Sequence, residues 1–431
     1  MKRTPVAVHI VGLVLIVIAV LGAVQWAARD RFLTRGWETT FTAPIPDTPG
    51  AAGETLPRLC INAPLDTYEG SMLDWALDAV EDGGYRWVRQ RFSWAAATPS
   101  PVDTMGGPFD ETVLDWSTLD AIVAAAAARG IGLIAVLDDA PEWAGSPPYP
   151  GAFADWAGAV AQRYGDAITY YQIWHNPNLA DDWGRAANAF MYTDLLAQAA
   201  TAIREADPQA RIVLGSLAPT AEEGDRNYAD DLFLEMLYAA GAGPYFDVVA
   251  AQPYGFETGP DDRRVGRDVL NFSRPLLLRD VMVAHGDAEK AIWASHFGWN
   301  SMQRCWPGET SIWGHVGEIP QGEYAVEALA RAGREWPWMG VMCLNGLQPR
   351  PREGGAVACT VRANPESEAS AILEAAPDDP LGLDPPRAPD AEEHWGFALF
   401  TPEGEPRPVF SAVHAWADRE PVAHAGTYRA E

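Results

Sequence analysis

A short apolar segment followed by a longer amphipathic one recurs eight times between residues 59 and 420. The short segments are rich in β-branched and aromatic residues, a composition that predicts strands. We place the strands at 59–63, 86–91, 131–137, 169–174, 211–217, 246–252, 291–296 and 339–345. The intervening segments have helical patterns, such as the alanine-rich run from Leu119 to Arg129 that Gly130 ends. Eight strand–helix units in series predict an α/β chain whose parallel sheet closes into a (β/α)8, or TIM, barrel.

The size of the chain fits one such barrel with additions. It has 431 residues, 48% of them hydrophobic, and a barrel of this kind typically needs about 250 residues. We predict a barrel domain at 59–420 with loop insertions at 301–321 and 349–393, and a tail at 421–431. Both insertions follow the carboxyl ends of predicted strands, so we expect them on the face where barrels place their binding sites.

The N-terminal segment predicts a membrane anchor. Residues 6–24 are apolar at nearly every position, with His9 the clear exception, and are long enough to cross a bilayer as one helix. Lys2 and Arg3 precede the segment, and Trp26 follows at the depth of an interfacial anchor. The alternative is a cleavable signal peptide, whose apolar core is usually shorter and ends at a small-x-small site that is poor here.

We therefore favour an uncleaved transmembrane helix within 1–28, followed by a linker at 29–58 that is rich in proline and glycine. This arrangement predicts a membrane-anchored protein whose barrel lies outside the cytoplasm, at the cell surface. The net charge of −28 argues against nucleic acid as a partner, because phosphates would be repelled.

The four cysteines form no Cys-x-x-Cys pair, which excludes the common zinc frameworks. Cys60 and Cys343 fall in the first and last strands, which become neighbours when a barrel closes. Their simplest interpretation is as small buried hydrophobic residues, although an exported chain could oxidise them. Cys305 and Cys359 fall in the two insertions, and we predict that they lie close enough to form a disulfide.

Residues 168–178 carry the clearest site signal. The first half of this stretch is β-branched and aromatic and predicts a buried strand. Pro177 cannot continue that strand, so the chain must turn there. His175 and Asn176 are therefore expected at the carboxyl end of strand four, where barrels place their chemistry.

The sequence Trp-His-Asn-Pro-Asn at 174–178 resembles the Trp-Asn-Glu-Pro-Asn motif of clan A glycoside hydrolases. Further stretches resemble the same clan, at 87–94, 136–144, 212–215, 247–256, 291–300 and 396–408. The resemblance runs from about residue 59 to residue 417 and is nearest to the cellulase-like and β-xylosidase-like families. It implies a (β/α)8 barrel that takes an oligo- or polysaccharide as its ligand.

The resemblance also implies where the reacting groups should be, and these positions have changed. Asn176 stands where the clan has its acid/base glutamate, and His296 stands where it has its nucleophile. His175 replaces the clan's asparagine and Gln252 its strand-six histidine, whereas Arg89 is kept. Retaining hydrolysis needs two carboxyl groups about 5 Å apart, and an amide has no proton to donate near neutral pH. We therefore expect no catalytic residue at 176 or 296.

The resemblance leaves a set of residues expected to bind substrate. They are Arg89, Trp94, Trp143, Trp174, His175, Gln252, Tyr254 and Trp299. Tryptophan rings can stack on sugar faces, but they fill barrel and helix layers equally well, and we expect about half of the tryptophans near strand ends to be packing.

Two alternatives for the site remain open. His175 and His296 could bind a metal together with Asp138 or Asp139, but neutral hydrogen-bonded histidines are the simpler interpretation, so we expect no metal and no cofactor. Relocated carboxylates could also supply a displaced catalytic pair. The candidates are Asp138, Asp139, Glu142, Asp181 and Asp182. In a chain with 59 acidic residues, solvated loop acids are the stronger interpretation on composition alone.

Three functional hypotheses follow. The first is a surface-tethered pseudo-glycosidase that binds a glycan or a protein partner without cleaving it. The second is an active glycosidase that uses relocated carboxylates. The third is a structural component of the cell envelope, because a fold alone does not fix a function.

Overall fold

The protein, seen here in a computed structural model, forms a closed eight-stranded parallel barrel. The structure describes residues 45–48, 58–98, 114–301, 312–348 and 396–419. The strands are β1 (Leu59–Asn62), β2 (Trp87–Ser93), β3 (Gly132–Asp138), β4 (Tyr170–Ile173), β5 (Arg211–Val213), β6 (Val248–Ala251), β7 (Ala291–Phe297) and β8 (Met339–Leu344). Neighbouring strands pair in chain order, and β1 closes the ring by pairing with β8. The predicted barrel is confirmed.

One major helix follows each strand within the described residues. These are α1 (Ser71–Asp82), α2 (Ser117–Ala128), α3 (Pro150–Tyr164), α4 (Ala189–Ala206), α5 (Asp230–Ala239), α6 (Pro275–Ala284), α7 (Glu318–Glu335) and α8 (Pro408–Ala417). Several begin as the sequence requires: proline occupies the first turn of α3, α6 and α8, where its missing N–H costs nothing. The side chain of Asn188 caps α4 by accepting from the amide of Met191 at 3.0 Å.

Strand β5 is shorter than predicted. Regular pairing ends at Val213, although Ser216 still bridges His175, and Leu217 still bridges Ala251. The break falls at Gly215, where an added Cβ would lie 2.7 Å from the carbonyl oxygen of Ile173. The chain passes so close to β4 at this point that only glycine fits.

The bond between Cys60 and Cys343 joins β1 to β8 where the barrel closes. The two residues are directly paired in the parallel ladder, and their sulfur atoms are bonded. The prediction that they are buried neighbours is confirmed, but the simple interpretation as unbonded hydrophobic residues is wrong. In-register partners on adjacent strands bring their Cβ atoms within bonding reach, which is why oxidation is possible there.

Several predictions lie outside the described residues. Among the residues described, no helix is long and apolar enough to cross a membrane. The anchor predicted at 6–24, Cys305, Cys359, the insertion at 349–393 and the tail at 421–431 are not covered. These remain predictions.

Part of the predicted linker packs against the floor of the barrel. Ile45 and Thr48 are buried, and the side chain of Asp47 accepts a hydrogen bond from the Tyr170 hydroxyl at 2.8 Å and pairs with Arg211. The backbone oxygen of Asp47 accepts from the Trp293 indole at 2.8 Å. Tyr170 and Arg211 begin β4 and β5, so this segment covers the end of the barrel opposite the strand carboxyl ends.

We expect Asp47→Ala to lower the free energy of unfolding by about 1–3 kcal/mol. The reason is that the Tyr170 hydroxyl and the Arg211 guanidinium lose a shared acceptor in a largely buried position. Chemical denaturation of both proteins measures this difference. Asp66→Ala, at an exposed carboxylate beside the other end of the barrel, is the matched control, and an equal loss in both variants would contradict the role given to Asp47.

Candidate functional site

The chain leaves β4 through a strained turn that presents His175 and Asn176 at the barrel mouth. Trp174 and Asn176 both have positive φ, +71° and +45°, a conformation that asparagine tolerates and tryptophan rarely adopts. Hydrogen bonds hold Trp174 in place: its amide donates to Leu137, its carbonyl accepts from Gln172, and its indole donates to the Asp182 carbonyl. Such strain persists only where surrounding contacts enforce it.

Arg89 lies at the centre of the mouth and contacts residues of three other strands, together with His175 in the turn after β4. It rises from β2 and is only 8% exposed. Its Nε donates to Gln172 on β4, and its Nη1 donates to Asn62 on β1, both at 2.9 Å. Nη1 also lies 3.3 Å from Nε2 of His296, and Nη2 lies 3.2 Å from Nδ1 of His175. The residue therefore fixes the positions of both histidines.

The contacts with Arg89 determine the protonation of both imidazoles. A guanidinium donates and never accepts, so the facing nitrogens, Nδ1 of His175 and Nε2 of His296, must carry lone pairs. Each ring then carries its proton on the other nitrogen and is neutral. Burial lowers the pKa of His175 well below its usual value, and the positive charges of Arg89 and Arg91 lower it further.

Asn176 is held by hydrogen bonds at both ends of its amide. Its carbonyl oxygen accepts from Nε2 of Gln252 at 2.5 Å, and its amide nitrogen donates to Oδ2 of Asp182 at 3.1 Å. Gln252 also donates to Ser216 at 2.7 Å, and Ser216 contacts Ser295 at 2.5 Å. A chain of neutral groups thus links the segments that follow β4, β5 and β6 to β7.

The five carboxylates considered above have different environments in the structure. Asp138 is buried and lies 2.9 Å from the Arg91 guanidinium; its burial raises its pKa to about 6. Asp139 accepts from the Ser93 hydroxyl. Glu142 and Asp181 are exposed, and Asp181 pairs with Arg226. Of the five, Asp182 is the carboxylate whose side chain bonds Asn176.

Two of the expected sugar-binding tryptophans are fully buried. Trp94 stacks on Trp156 at 5.6 Å, and Trp299 packs against Phe272 while its indole donates to the carbonyl of Thr258. Both are 0% exposed, so the structure uses them as packing and corrects the expectation that they bind substrate. Long-range packing decides which face of such a ring is covered, and strand-end position alone does not reveal it.

The other expected binding residues differ in their exposure. Tyr254 is also 0% exposed, because the rings of Trp313 and Phe397 lie against it. Trp174 is nearly buried, Trp143 is half-buried against Trp94, and His175 and Asn176 are partly open to solvent. Arg89, Gln252 and His296 lie just below the surface of the mouth.

The metal alternative finds no support in this geometry. Within the described ranges, no three histidine, cysteine, aspartate or glutamate side chains come together as a possible metal site. The Arg89 guanidinium contacts one nitrogen of each imidazole, and its charge would repel a cation.

Comparison with known proteins identifies the fold. No protein-family model and no curated protein sequence matches this chain. Solved structures do match. A family 39 glycoside hydrolase from Bacteroides cellulosilyticus WH2 aligns with a TM-score of 0.57 at 16% identity, over 84% of this chain and 64% of its own length. A monomeric β-xylosidase from Caulobacter crescentus CB15 aligns at 0.54 and 19% identity, over 84% and 69% of the two chains.

The fold is that of the glycoside hydrolase barrels. A third match, an endoxylanase of glycoside hydrolase family 10 from a sugarcane-soil metagenome, aligns at a TM-score of 0.51 with 13% identity, over 83% of this chain and 96% of its own. This chain spans just under two thirds of the family 39 enzyme. At such low identities the likeness concerns the fold, and the function must be argued from the site.

Sequence reasoning missed several residues that build the mouth. Asn62, Gln172, Ser216 and Ser295 all bond the central groups from inside strands or strand ends. A signal was available for them, because polar residues inside otherwise apolar strands must find hydrogen-bond partners when the barrel closes. Their partners come from distant parts of the chain and could not be assigned without the structure.

We expect His175 to stay neutral well below pH 6.5, with its proton on Nε2. Site-specific nitrogen NMR reports both the tautomer and the pKa. Arg89→Gln should raise the pKa toward 6.5 by removing a nearby positive charge. Titration of His175 near 6.5 in the unmodified protein, or a proton found on Nδ1, would contradict the assignment.

The same shift has a stability consequence of known sign. The unfolded chain binds a proton at His175 from about pH 6.5 downward and the folded chain does not, so this group lowers stability as the pH falls below 6.5. Asp138 acts in the opposite direction below about pH 6, because its pKa is raised on folding. A whole-protein unfolding curve would mix the two groups, which is why NMR is the deciding measurement.

Proposed function

We propose that this chain is a glycoside hydrolase-like protein that binds a glycan at the barrel mouth without hydrolysing it. The observation that carries the proposal is that polar atoms of Asn176 and His296, at the ends of β4 and β7, are already hydrogen-bonded within the protein. Asn176 is bonded through both ends of its amide, and the lone pair of His296 on Nε2 faces Arg89. The barrel likeness to glycoside hydrolases supports carbohydrate as the ligand.

The chemistry follows from these contacts. The resemblance to clan A implies that Asn176 and His296 stand at the two reacting positions. Asn176 has no acidic proton for a leaving oxygen. His296 cannot attack an anomeric carbon while its Nδ1 carries a proton and its Nε2 accepts from Arg89. Neither position supplies the negative charge that stabilises an oxocarbenium-like transition state.

We further propose that the barrel lies outside the cytoplasm, anchored by the apolar segment at 6–24. The bond between Cys60 and Cys343 supports this location, because disulfides persist in oxidising compartments and are rare in the cytosol. A protein partner in the cell envelope remains the rival to a glycan. A glycan array probed with the full-length chain separates them: binding to no glycan would leave the structural role.

One observation favours a second candidate, an active glycosidase with a relocated acid. The Asp182 carboxylate bonds Asn176 directly and is solvent-exposed. A displaced pair would need a second carboxylate farther across the mouth. Asp138, with its raised pKa, is already paired with Arg91. We therefore rank this function second and test it through Asp182.

A further inference from the structure

We infer that Trp313, with Phe256 beneath it, forms a stacking platform for a sugar ring at the edge of the mouth. The inference rests on the proposed function and names the ligand class: a pyranose whose hydroxyl groups are equatorial. Such a ring has an apolar face of C–H groups that fits an aromatic ring, and a polar rim that fits the mouth.

The platform belongs to a continuous row of rings that leads into the mouth. Trp313 packs against Tyr254 at a centroid distance of 4.4 Å, Tyr254 lies 6.2 Å from His296, and His296 lies 5.3 Å from His175. Trp313 and Phe256 are partly exposed, whereas Tyr254 is covered. The partly exposed rings are therefore joined to His175, at the end of β4, through the covered rings of Tyr254 and His296.

The Trp313 ring is held firmly by its surroundings. It stacks on Phe256 at 5.7 Å with an interplanar angle of 28°, and it meets the edge of Phe397 at 6.3 Å. The next residue, Gly314, has a φ of +70°, and an added Cβ there would lie 2.6 Å from Glu257. Because the ring is fixed before binding, little rotamer entropy would be lost on ligand contact.

The loop that carries Trp313 is tied to the end of β7. Asn300 donates its side-chain amide to the Gly314 carbonyl at 2.9 Å, and the amide of Val316 donates to the Asn300 carbonyl at 2.9 Å. Movement of residues 312–316 away from β7 would break both bonds. The two bonds thus tie the platform to the end of β7.

The polar groups of the mouth suit sugar hydroxyls. His175 carries its proton on Nε2, the nitrogen that does not face Arg89, and offers a donor. The exposed Asp182 carboxylate beside Asn176 offers an acceptor. The hydroxyl rim of a pyranose can bond such a donor and such an acceptor, while its C–H face suits an aromatic ring.

The test is calorimetric titration of xylohexaose and of cellohexaose into the full-length chain. A detergent without a sugar head group avoids competition at the site. We expect the unmodified chain to bind at least one of the two, Trp313→Ala to weaken that binding about tenfold or more, and Trp313→Phe to weaken it less than about threefold. Phe190→Ala removes an aromatic ring that is 67% exposed on α4 and should leave binding unchanged.

Thermal unfolding of each variant shows whether the barrel is intact. If the alanine variant fails to fold, binding by Trp313→Phe still tests the platform. Equal binding by the unmodified chain and Trp313→Ala would overturn the platform and leave the proposed function standing. Binding of neither hexasaccharide would also overturn it, and the glycan array would then decide separately whether the chain binds carbohydrate at all.

Discussion

Unmodified protein should hydrolyse aryl β-glycosides no faster than buffer does. Hydrolysis needs a proton donor at the leaving oxygen and an anion at the anomeric carbon. Asn176 and His296 supply neither, and the structure leaves both residues bonded within the protein. A panel of activated aryl glycosides, assayed with the full-length chain, measures the rate.

Restoring the carboxyl groups is the sharper form of this experiment. The double variant Asn176→Glu and His296→Glu puts carboxyl groups at the ends of β4 and β7, where the resemblance to clan A implies them. We expect no hydrolysis above background from this variant, because His175 would still accept from Arg89 and Gln252 would still contact residue 176. A displacement of about 1 Å at the reacting atoms can cost about a hundredfold in rate.

The quadruple variant adds His175→Asn and Gln252→His. These changes return the polar neighbours that the resemblance to clan A implies, and we expect turnover at least about a hundredfold above the double variant. A general acid alone typically contributes about 10²–10⁴-fold. The matched control is the quadruple variant with Asp182→Asn, which should keep its activity if residue 176 is the acid.

Hydrolysis by the unmodified protein would indicate that other residues carry out the reaction. If the unmodified protein cleaves a glycoside and that activity survives Asn176→Ala and His296→Ala, the inactive-enzyme proposal fails. Loss of the same activity in Asp182→Asn would then identify Asp182 as the relocated acid, with Asp138 the next carboxylate to test.

The barrel could be predicted from sequence because its signals are local. Each strand is a short apolar run, and local stop signals such as Pro177 and Gly130 mark where elements end. The convergence of residues 89, 175, 176, 252 and 296 followed from topology, since the carboxyl ends of parallel strands meet at one mouth.

What could not be predicted depends on contacts between distant parts of the chain. Trp94 and Trp299 fall at strand ends like Trp174, yet neighbouring helices and loops cover them completely. Asp47 falls in a segment rich in proline and threonine, and its docking depends on Tyr170 and Arg211 far along the sequence. Hydrophobic period and turn chemistry contain no information on such pairings.

The bond between Cys60 and Cys343 should contribute about 2–5 kcal/mol to stability. It joins residues 283 positions apart, so it removes a very large loop from the freedom of the unfolded chain. Both residues are almost fully buried, which protects the bond from reductant until the barrel opens. The double variant Cys60→Ala and Cys343→Ala avoids burying hydroxyl groups that serine would leave without partners.

Denaturant midpoints, measured with and without dithiothreitol, give the size of the effect. The midpoint of the unmodified chain should fall when the reductant is present, and that of the double variant should already be low and respond less. Cys305→Ala and Cys359→Ala together form the control for the other cysteine pair. A double variant at 60 and 343 as stable as the unmodified chain would contradict the stabilising role.

The redox state of Cys60 and Cys343 in native cells indicates the compartment in which the barrel folds. Peptide mapping after alkylation should find Cys60 and Cys343 joined in protein taken from its native cells, because an extracytoplasmic barrel folds under oxidising conditions. A barrel that folded in the reducing cytosol would carry both thiols free. If both thiols are recovered fully alkylated from native cells, the proposed location is wrong. The glycan-binding proposal would be unaffected, because it rests on residues at the barrel mouth.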